Sequence, residues 1–186
     1  MEETDVVELY ALFRSHGLDV VVDGGWGVDA LLGYQSRPHS DLDIALPHAQ
    51  VPLLRGVLAD RGYVPVDRPD TTEWNFVLGD SAGRQVDVHS FTFEPPLDLT
   101  EVDPSSVPDD KPVSGVDYLR RSLYGSGMIA GTVVRCVPPE YMVLFHTGYP
   151  LDENDFRDTS ALCAKFGIAL PADYQPFVQR DLEGRG

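Results

Sequence analysis

The stretch "SDLDIAL", residues 40–46, sets two carboxylates one residue apart, at Asp41 and Asp43. Leu42 and Ile44 alternate with them. In a strand alternate side chains share a face, so both acids aim at one spot. On a helix, residues two apart lie roughly 200° around the axis and would diverge. At about 4.5 Å and an effective dielectric near 20, two such charges repel by about 3–4 kcal/mol. A raised pKa on one acid relieves that repulsion, and so does a divalent cation between them. "QVDVH", residues 85–89, repeats the device: Val86 and Val88 face one way, Asp87 and His89 the other. If the two strands are neighbours, three carboxylates converge. Such oxygen ligands suit Mg²⁺, which takes one or two carboxylates, keeps waters and completes its shell with phosphates. Zinc is disfavoured, because no cysteine or histidine cluster accompanies the acids. Taken alone, Asp41 and Asp43 also read as two solvated residues at a strand end.

Upstream, Gly24 and Gly25 sit between an apolar run and a helical pattern. A strand–glycine–helix junction exposes backbone N–H groups and a helix N-terminus, both of which attract phosphate. An anion site and a cation site thus lie within one supersecondary unit. Arg37 and His39 come just before the acids. An arginine there could fork onto phosphate, or both could be ordinary loop residues. Trp26 reads as packing under the glycine turn, with ligand contact as the alternative. His89 shares a face with Asp87 and is a candidate for an acceptor or supporting contact. His146 reads as packing the C-terminal helices, His16 and His48 as surface residues. Asp155 and Asp158 fall on one helix face that solvation explains.

These residues need positioning elements. Val6, Leu9, Tyr10 and Phe13 recur at helical spacing, with Gly17 as the stop. "LDVVVD" (18–23) reads as a strand, "VDALLG" (28–33) as a helix ending at Gly33, and 40–46 as a strand. A helix follows over about 48–61, stopped by Gly62. "EWNFVLGD" and "RQVDVHSF" flank "SAG" as a hairpin. Residues 93–115 are rich in Pro, Asp and Ser and predict an irregular connection. "GTVVRCV" (131–137) reads as a late strand. Helices are expected over about 140–148, 152–165 and 173–182.

The 186 residues fit one domain, and 42% apolar content supplies a core. The expected class is α/β (α+β). Residues 1–137 would form the core and 138–186 a C-terminal helical segment packed onto it. No signal peptide or membrane-length apolar run is visible, and Cys136 and Cys163 read as buried thiols, so a cytoplasmic protein is expected. A net charge of −16 disfavours a nucleic-acid partner and is compatible with a cationic small molecule, or with no more than a soluble, self-repelling surface. "GSGMIA" (125–130) is a loose dinucleotide motif, but β-branched residues follow where a helix must open, so a hairpin is expected. No Walker loop or nucleophile elbow occurs in the chain.

"DGGWGVDALLG", "SRPHSDLDI", "QVDVHSFTF" and the segment from "CVPPEYMVLFHTGYP" to "FGIALP" together resemble the lincosamide and aminoglycoside nucleotidyltransferases. These belong to the superfamily that includes DNA polymerase beta. The likeness spans most of residues 20–171. It implies a nucleotidyltransferase fold: a mixed, mostly antiparallel twisted sheet flanked by helices. It implies that Asp41 and Asp43 bind the metals, two Mg²⁺ ions, that hold a nucleoside triphosphate, most often ATP. Asp87 would complete the metal site or take the acceptor's proton. Gly24, Gly25, Trp26, Arg37 and His39 would form the nucleotide-binding group. Where the wider superfamily often has serine after the glycine pair, this chain has Trp26, which leaves backbone N–H groups to serve alone. The implied reaction moves a nucleoside monophosphate onto a hydroxyl of a small antibiotic. A macromolecular acceptor, a non-catalytic module and a homodimer stay open at this stage.

Overall fold

The computed structural model of the chain describes residues 1–99 and 106–184. Helix α1 (Glu3–Ser15) buries Val6, Leu9, Tyr10 and Phe13, the expected stripe, and Gly17 follows it at φ 71°. Strand β1 is only Val21–Val22, shorter than the apolar run 18–23 suggested. Helix α2 (Gly24–Leu32) starts at the glycine pair itself, so the two glycines form its first turn rather than a bend before it. Asp23 caps it, its Oδ1 accepting the Gly24 N–H at 2.8 Å, and Gly33 closes it in the left-handed region. From Trp26 to Leu32 every residue of α2 is buried, Asp29 included.

Strand β2 (Asp41–Pro47) leads through a 3₁₀ turn at His48–Gln50 into α3 (Val51–Ala59). The exposed edge strand β3 (Val64–Val66) has no counterpart in the sequence reading, because Pro65 interrupts a run of three residues. β4 (Asn75–Gly79) and β5 (Gln85–Thr92) form the expected hairpin. In the Pro- and Asp-rich connection, Ser114–Gly115 forms a short β6 against β5, and residues 100–105 of that connection lie outside the described residues. β7 (Gly125–Ile129) and β8 (Thr132–Cys136) pair as a hairpin, which places "GSGMIA" as expected. Helices α4 (Pro139–Phe145), α5 (Glu153–Phe166) and α6 (Gln175–Gly184) complete the described chain.

The sheet order is β3-β4-β5-β2-β1-β8-β7, with β6 beside β5. It is mixed and mostly antiparallel: β2/β5 and β1/β8 are its parallel pairings among the described residues. A parallel neighbour needs a crossover. Here α3 and the β3–β4 excursion supply it, which returns β5 alongside β2 in the same direction. The register then sets Leu42 beside Val86, Asp43 beside Asp87 and Ile44 beside Val88. Those four apolar side chains are at most 1% exposed and belong to one buried cluster. The same cluster takes in Tyr141, Met142, Val143, Leu162 and Cys163 of α4 and α5. Cys136 and Cys163 are buried free thiols, as expected. No described helix is long and apolar enough to cross a membrane.

One polar network ties α1 to the β4–β5 turn. Arg84 Nε donates to Asp80 Oδ2 at 2.7 Å, and Arg84 Nη1 donates to Asp5 Oδ1 at 2.9 Å. The Glu2 backbone N–H and Arg84 hold the Asp5 carboxyl below its ordinary range. Burial raises Asp80, but hydrogen bonds from Arg84 outweigh it and lower that carboxyl as well. Depressed folded-state values mean that this stabilisation is present above the unfolded carboxylate pKa of about 3.9 and fades as pH falls through the folded values. The half-exposed network is screened by solvent, so Arg84→Ala should cost at most about 1 kcal/mol at pH 7, a drop of about 2–4 °C in Tm. The difference between the two proteins should shrink on acidification to about pH 2–3, which thermal melts followed by circular dichroism across that range would check.

Candidate active site

The parallel pairing of β2 and β5 builds the centre of the site. On the face opposite the core, Asp43, Asp87 and His89 each present a potential ligand atom, all within 4.8 Å of one another. His89 Nε2 lies 3.9 Å from Asp43 Oδ1 and 3.8 Å from Asp87 Oδ1. Asp41 shares their face but lies outside this group, and its Oδ1 accepts from Ser40 Oγ at 2.9 Å. The cluster thus consists of two carboxylates and an imidazole, where the sequence pattern suggested three carboxylates. Period-two alternation fixes the face of a side chain, but not how far along the strand the ligands gather.

Burial raises the Asp87 carboxyl, and Asp43 and Asp41 add to the shift, against the opposing pull of His89 and Arg68. Burial works against a charged His89, yet contact with Asp43 and the fields of Asp87 and Asp23 outweigh it and raise its pKa. Asp87 Oδ2 accepts from Arg68 Nη1 at 3.2 Å, and Arg68 Nη2 donates to Gln85 Oε1 at 2.9 Å. Asp87 Oδ1 is buried without a hydrogen-bond partner. An unpartnered buried carboxylate oxygen is costly, and this one faces two other potential ligands. The donor set therefore fits a divalent cation. Arg68 was not a sequence candidate, for it lies in an irregular loop that carries no pattern.

The first turn of α2 comes directly against this cluster. A Cβ added to Gly24, at φ 55°, would sit 2.1 Å from Asp43 Oδ2. Glycine at 24 is what lets the helix N-terminus and the carboxylate meet. Asp23, the cap, also accepts from Tyr118 Oη at 2.5 Å. Burial first, and Asp23 next, push the Tyr118 hydroxyl well above its ordinary pKa, so it stays a donor.

Gly25 faces the second half of the site. A Cβ there would meet His39 Nδ1 at 2.3 Å and Arg37 Nη2 at 3.0 Å. His39 is buried, with Nε2 paired to Asp29 Oδ2 at 2.5 Å. Asp29 Oδ1 accepts from the Ser36 backbone and hydroxyl at 3.0 and 2.6 Å, which fixes the loop that delivers His39. Arg37 donates through Nε and Nη2 to Asp158 Oδ2 at 3.0 and 2.8 Å.

Two readings of single residues need correction. Asp158 is 1% exposed and pairs with Arg37, so it is no solvated helix face; helical spacing alone could not reveal a partner so far away in the chain. His48 is partly buried against Trp74, ring centroids 4.0 Å apart, and bonds Ser90 Oγ through Nδ1. Trp26 is wholly buried and packs against His39, the packing role expected, and its burial leaves no surface for the ligand contact weighed as the alternative. Asp155 caps α5 by accepting the Asp152 N–H at 2.8 Å, and His146 Nδ1 contacts Met142 O, the packing role expected.

Comparison with known proteins gives one consistent relationship. A lincosamide resistance protein of Staphylococcus haemolyticus is 28% identical over 162 residues, 86% of this chain and 93% of its own length. Among solved structures, the lincosamide antibiotic adenylyltransferase LnuA, bound to lincomycin, superposes with a TM-score of 0.68 at 24% identity. That match covers 91% of this chain and 99% of LnuA. ANT(2″)-Ia, in complex with adenylyl-2″-tobramycin, gives 0.63 at 18% identity, covering 98% and 97%. Both show the same fold, as the mixed sheet and its flanking helices require. The aminoglycoside-2″-adenylyltransferase family model matches residues 5–162. The chain therefore belongs to the aminoglycoside-2″-adenylyltransferase family, and it is a nucleotidyltransferase.

Proposed function

We propose that this protein transfers AMP from ATP to a hydroxyl of a small, cationic antibiotic of the lincosamide or aminoglycoside type and releases pyrophosphate. The observation that carries this reading is the Asp43–Asp87 pair, side by side in register, with a buried unpartnered oxygen aimed at the shared space. Family membership supports the chemistry, and the names of the relatives support the acceptor class. The net charge of −16 favours a cationic acceptor over a polyanion such as tRNA. A cytoplasmic location agrees with an ATP-dependent reaction.

In this reading Asp43 and Asp87, with His89 beside them, would hold a divalent cation. Asp41, two residues along the same strand, would contribute to a second. Mg²⁺ bound there would neutralise triphosphate oxygens and acidify the acceptor hydroxyl. The chain's own residues do the rest. Backbone N–H groups in the first turn of α2 face the triphosphate, and the helix N-terminus adds favourable partial charge. Arg37 and His39 meet the β- and γ-phosphates beside Gly25, while Trp26 supports that turn from beneath. The acceptor oxygen attacks the α-phosphorus, the bond to the bridging oxygen breaks, and the hydroxyl proton passes to Asp87. Burial and the neighbouring acids raise this carboxyl in the ion-free protein, whereas a cation beside it would favour the ionised form and acidify the acceptor hydroxyl directly. Residues 1–137 act as the transferase core, and 138–186 buttress it.

Radiolabel transfer from α-labelled ATP with Mg²⁺, across a panel of lincosamides and aminoglycosides, tests the function. No labelled product with any member would overturn it. Asp43→Asn and Asp87→Asn should each lower kcat/KM by at least about 10³-fold. Their melting temperatures should hold or rise, since each removes like-charge repulsion. Gly24→Ala probes the close approach independently. It forces a Cβ towards Asp43 and a non-glycine residue into the left-handed region, and should cut kcat by about 10²-fold through displacement of that carboxylate. Full activity in Gly24→Ala would show that the helix terminus need not touch Asp43.

A further inference from the structure

We propose that Asp158, from the C-terminal helix α5, is a positioning residue of the phosphate subsite. It would act through Arg37, so that the C-terminal segment takes part in nucleotide binding. The inference rests on the proposed function above and adds a residue to it. Four observations carry it.

Asp158 is 1% exposed, and no described positive group pairs with it other than Arg37. Contact is through one edge of the guanidinium: Nε lies 3.3 and 3.0 Å from the two carboxylate oxygens, and Nη2 lies 2.8 Å from Oδ2. Nη1 keeps only a long 3.4 Å contact with Pro38 O. A guanidinium has five donors in a fixed fork, so an acid along one edge orients the other without using it up. The Arg37 side chain is 20% exposed, enough for a ligand to reach it.

The place to which Arg37 is held is also chemically distinctive. Its Nη2 lies 3.0 Å from where a Gly25 Cβ would stand, and His39 Nδ1 lies 2.3 Å from the same point. Two nitrogen-bearing side chains thus converge on the first turn of a nine-residue helix. His39 is held by Asp29 through Nε2, which leaves Nδ1 as the ring nitrogen turned towards Gly25. With Arg37 Nη2 beside it, this nitrogen and the backbone N–H groups of the turn form one donor set at a helix N-terminus. An anion with several oxygens, a di- or triphosphate, matches that set.

The sign of the effect separates positioning from bulk charge. Asp158→Asn removes a negative charge close to the subsite. By electrostatics alone it should tighten triphosphate binding. If Asp158 acts by holding the guanidinium in place, the same change should weaken it, because a freed arginine loses its fixed geometry. The experiment is isothermal titration of wild type, Asp158→Asn, Arg37→Ala and the double variant with Mg²⁺ α,β-methylene-ATP and, separately, with AMP.

Asp158→Asn should weaken the triphosphate analogue by about 10- to 100-fold, with AMP within about twofold of wild type. In the Arg37→Ala background the Asp158 change should add nothing further, which is the signature of action through one partner. Equal or tighter analogue binding by Asp158→Asn overturns the proposal, as does an equal loss for AMP and analogue. Should Asp158→Asn fail to fold, the wild-type protein still decides. The Arg37 side-chain nitrogen signals in its ¹⁵N spectrum should shift on adding the analogue and stay put on adding AMP, and unmoved signals overturn the proposal. A wild type that binds no triphosphate analogue overturns the proposed function, whereas one that binds it while Asp158→Asn does so equally overturns this inference alone.

Discussion

Asp43 and Asp87 repel one another, and what keeps them adjacent lies on the other face of the sheet. Leu42, Ile44, Val86 and Val88 are shut away from water in the central cluster. Burying such side chains contributes about 1.5–3 kcal/mol each, against about 3–4 kcal/mol for two charges at close range. A slip of one residue in the pairing would turn the acids into the core and the aliphatic residues out. Register is therefore fixed by hydrophobic burial, and the charged cluster follows from it. The face that carries the acids is the reverse side of a packing decision.

The glycines extend that logic to the helix. α2 is hemmed in on all sides, so it cannot shift to accommodate a bulkier first turn. With side chains absent at 24 and 25, the helix N-terminus meets Asp43 on one side and Arg37 and His39 on the other. Trp26, next in the chain, fills the space beneath. The same turn thus joins the carboxylate cluster to the cationic loop, and its rigidity sets the distance between them.

Much of this was legible in the sequence because it depends on short-range patterns. The alternation in "DLDI" and "VDVH" gave the face of each acid, and the stripe in α1 gave its four buried residues. The hairpins followed from turn residues between apolar runs. What stayed hidden depends on partners distant in the chain. Asp158 looked like a surface acid because Arg37 lies 121 residues away. Arg68 looked like a loop residue because nothing local places it on Asp87. β3 was missed because a three-residue edge strand with a central proline carries almost no periodicity. The family resemblance reached further than pattern alone, since motifs carry long-range pairings implicitly.

The overall charge is a poor guide to what the site can bind, and the reason is local. A chain at −16 would repel a triphosphate as a whole. Yet the nitrogen-bearing side chains next to the cleft are each set against a carboxylate: Arg37 on Asp158, His39 on Asp29 and Arg68 on Asp87. Pairing lets partly buried cations stay charged, since burial alone works against them. For Arg37, contact with Asp158 more than offsets desolvation and raises its pKa. The acids therefore do two jobs. Spread over the surface they set a long-range field that salt screens within about 8–10 Å; next to the cleft they hold donors at fixed angles, where short-range hydrogen bonds outweigh that field. In the proposed function, recognition of an anion by an acidic protein then depends on the second effect, and on a cation that Asp43 and Asp87 would hold.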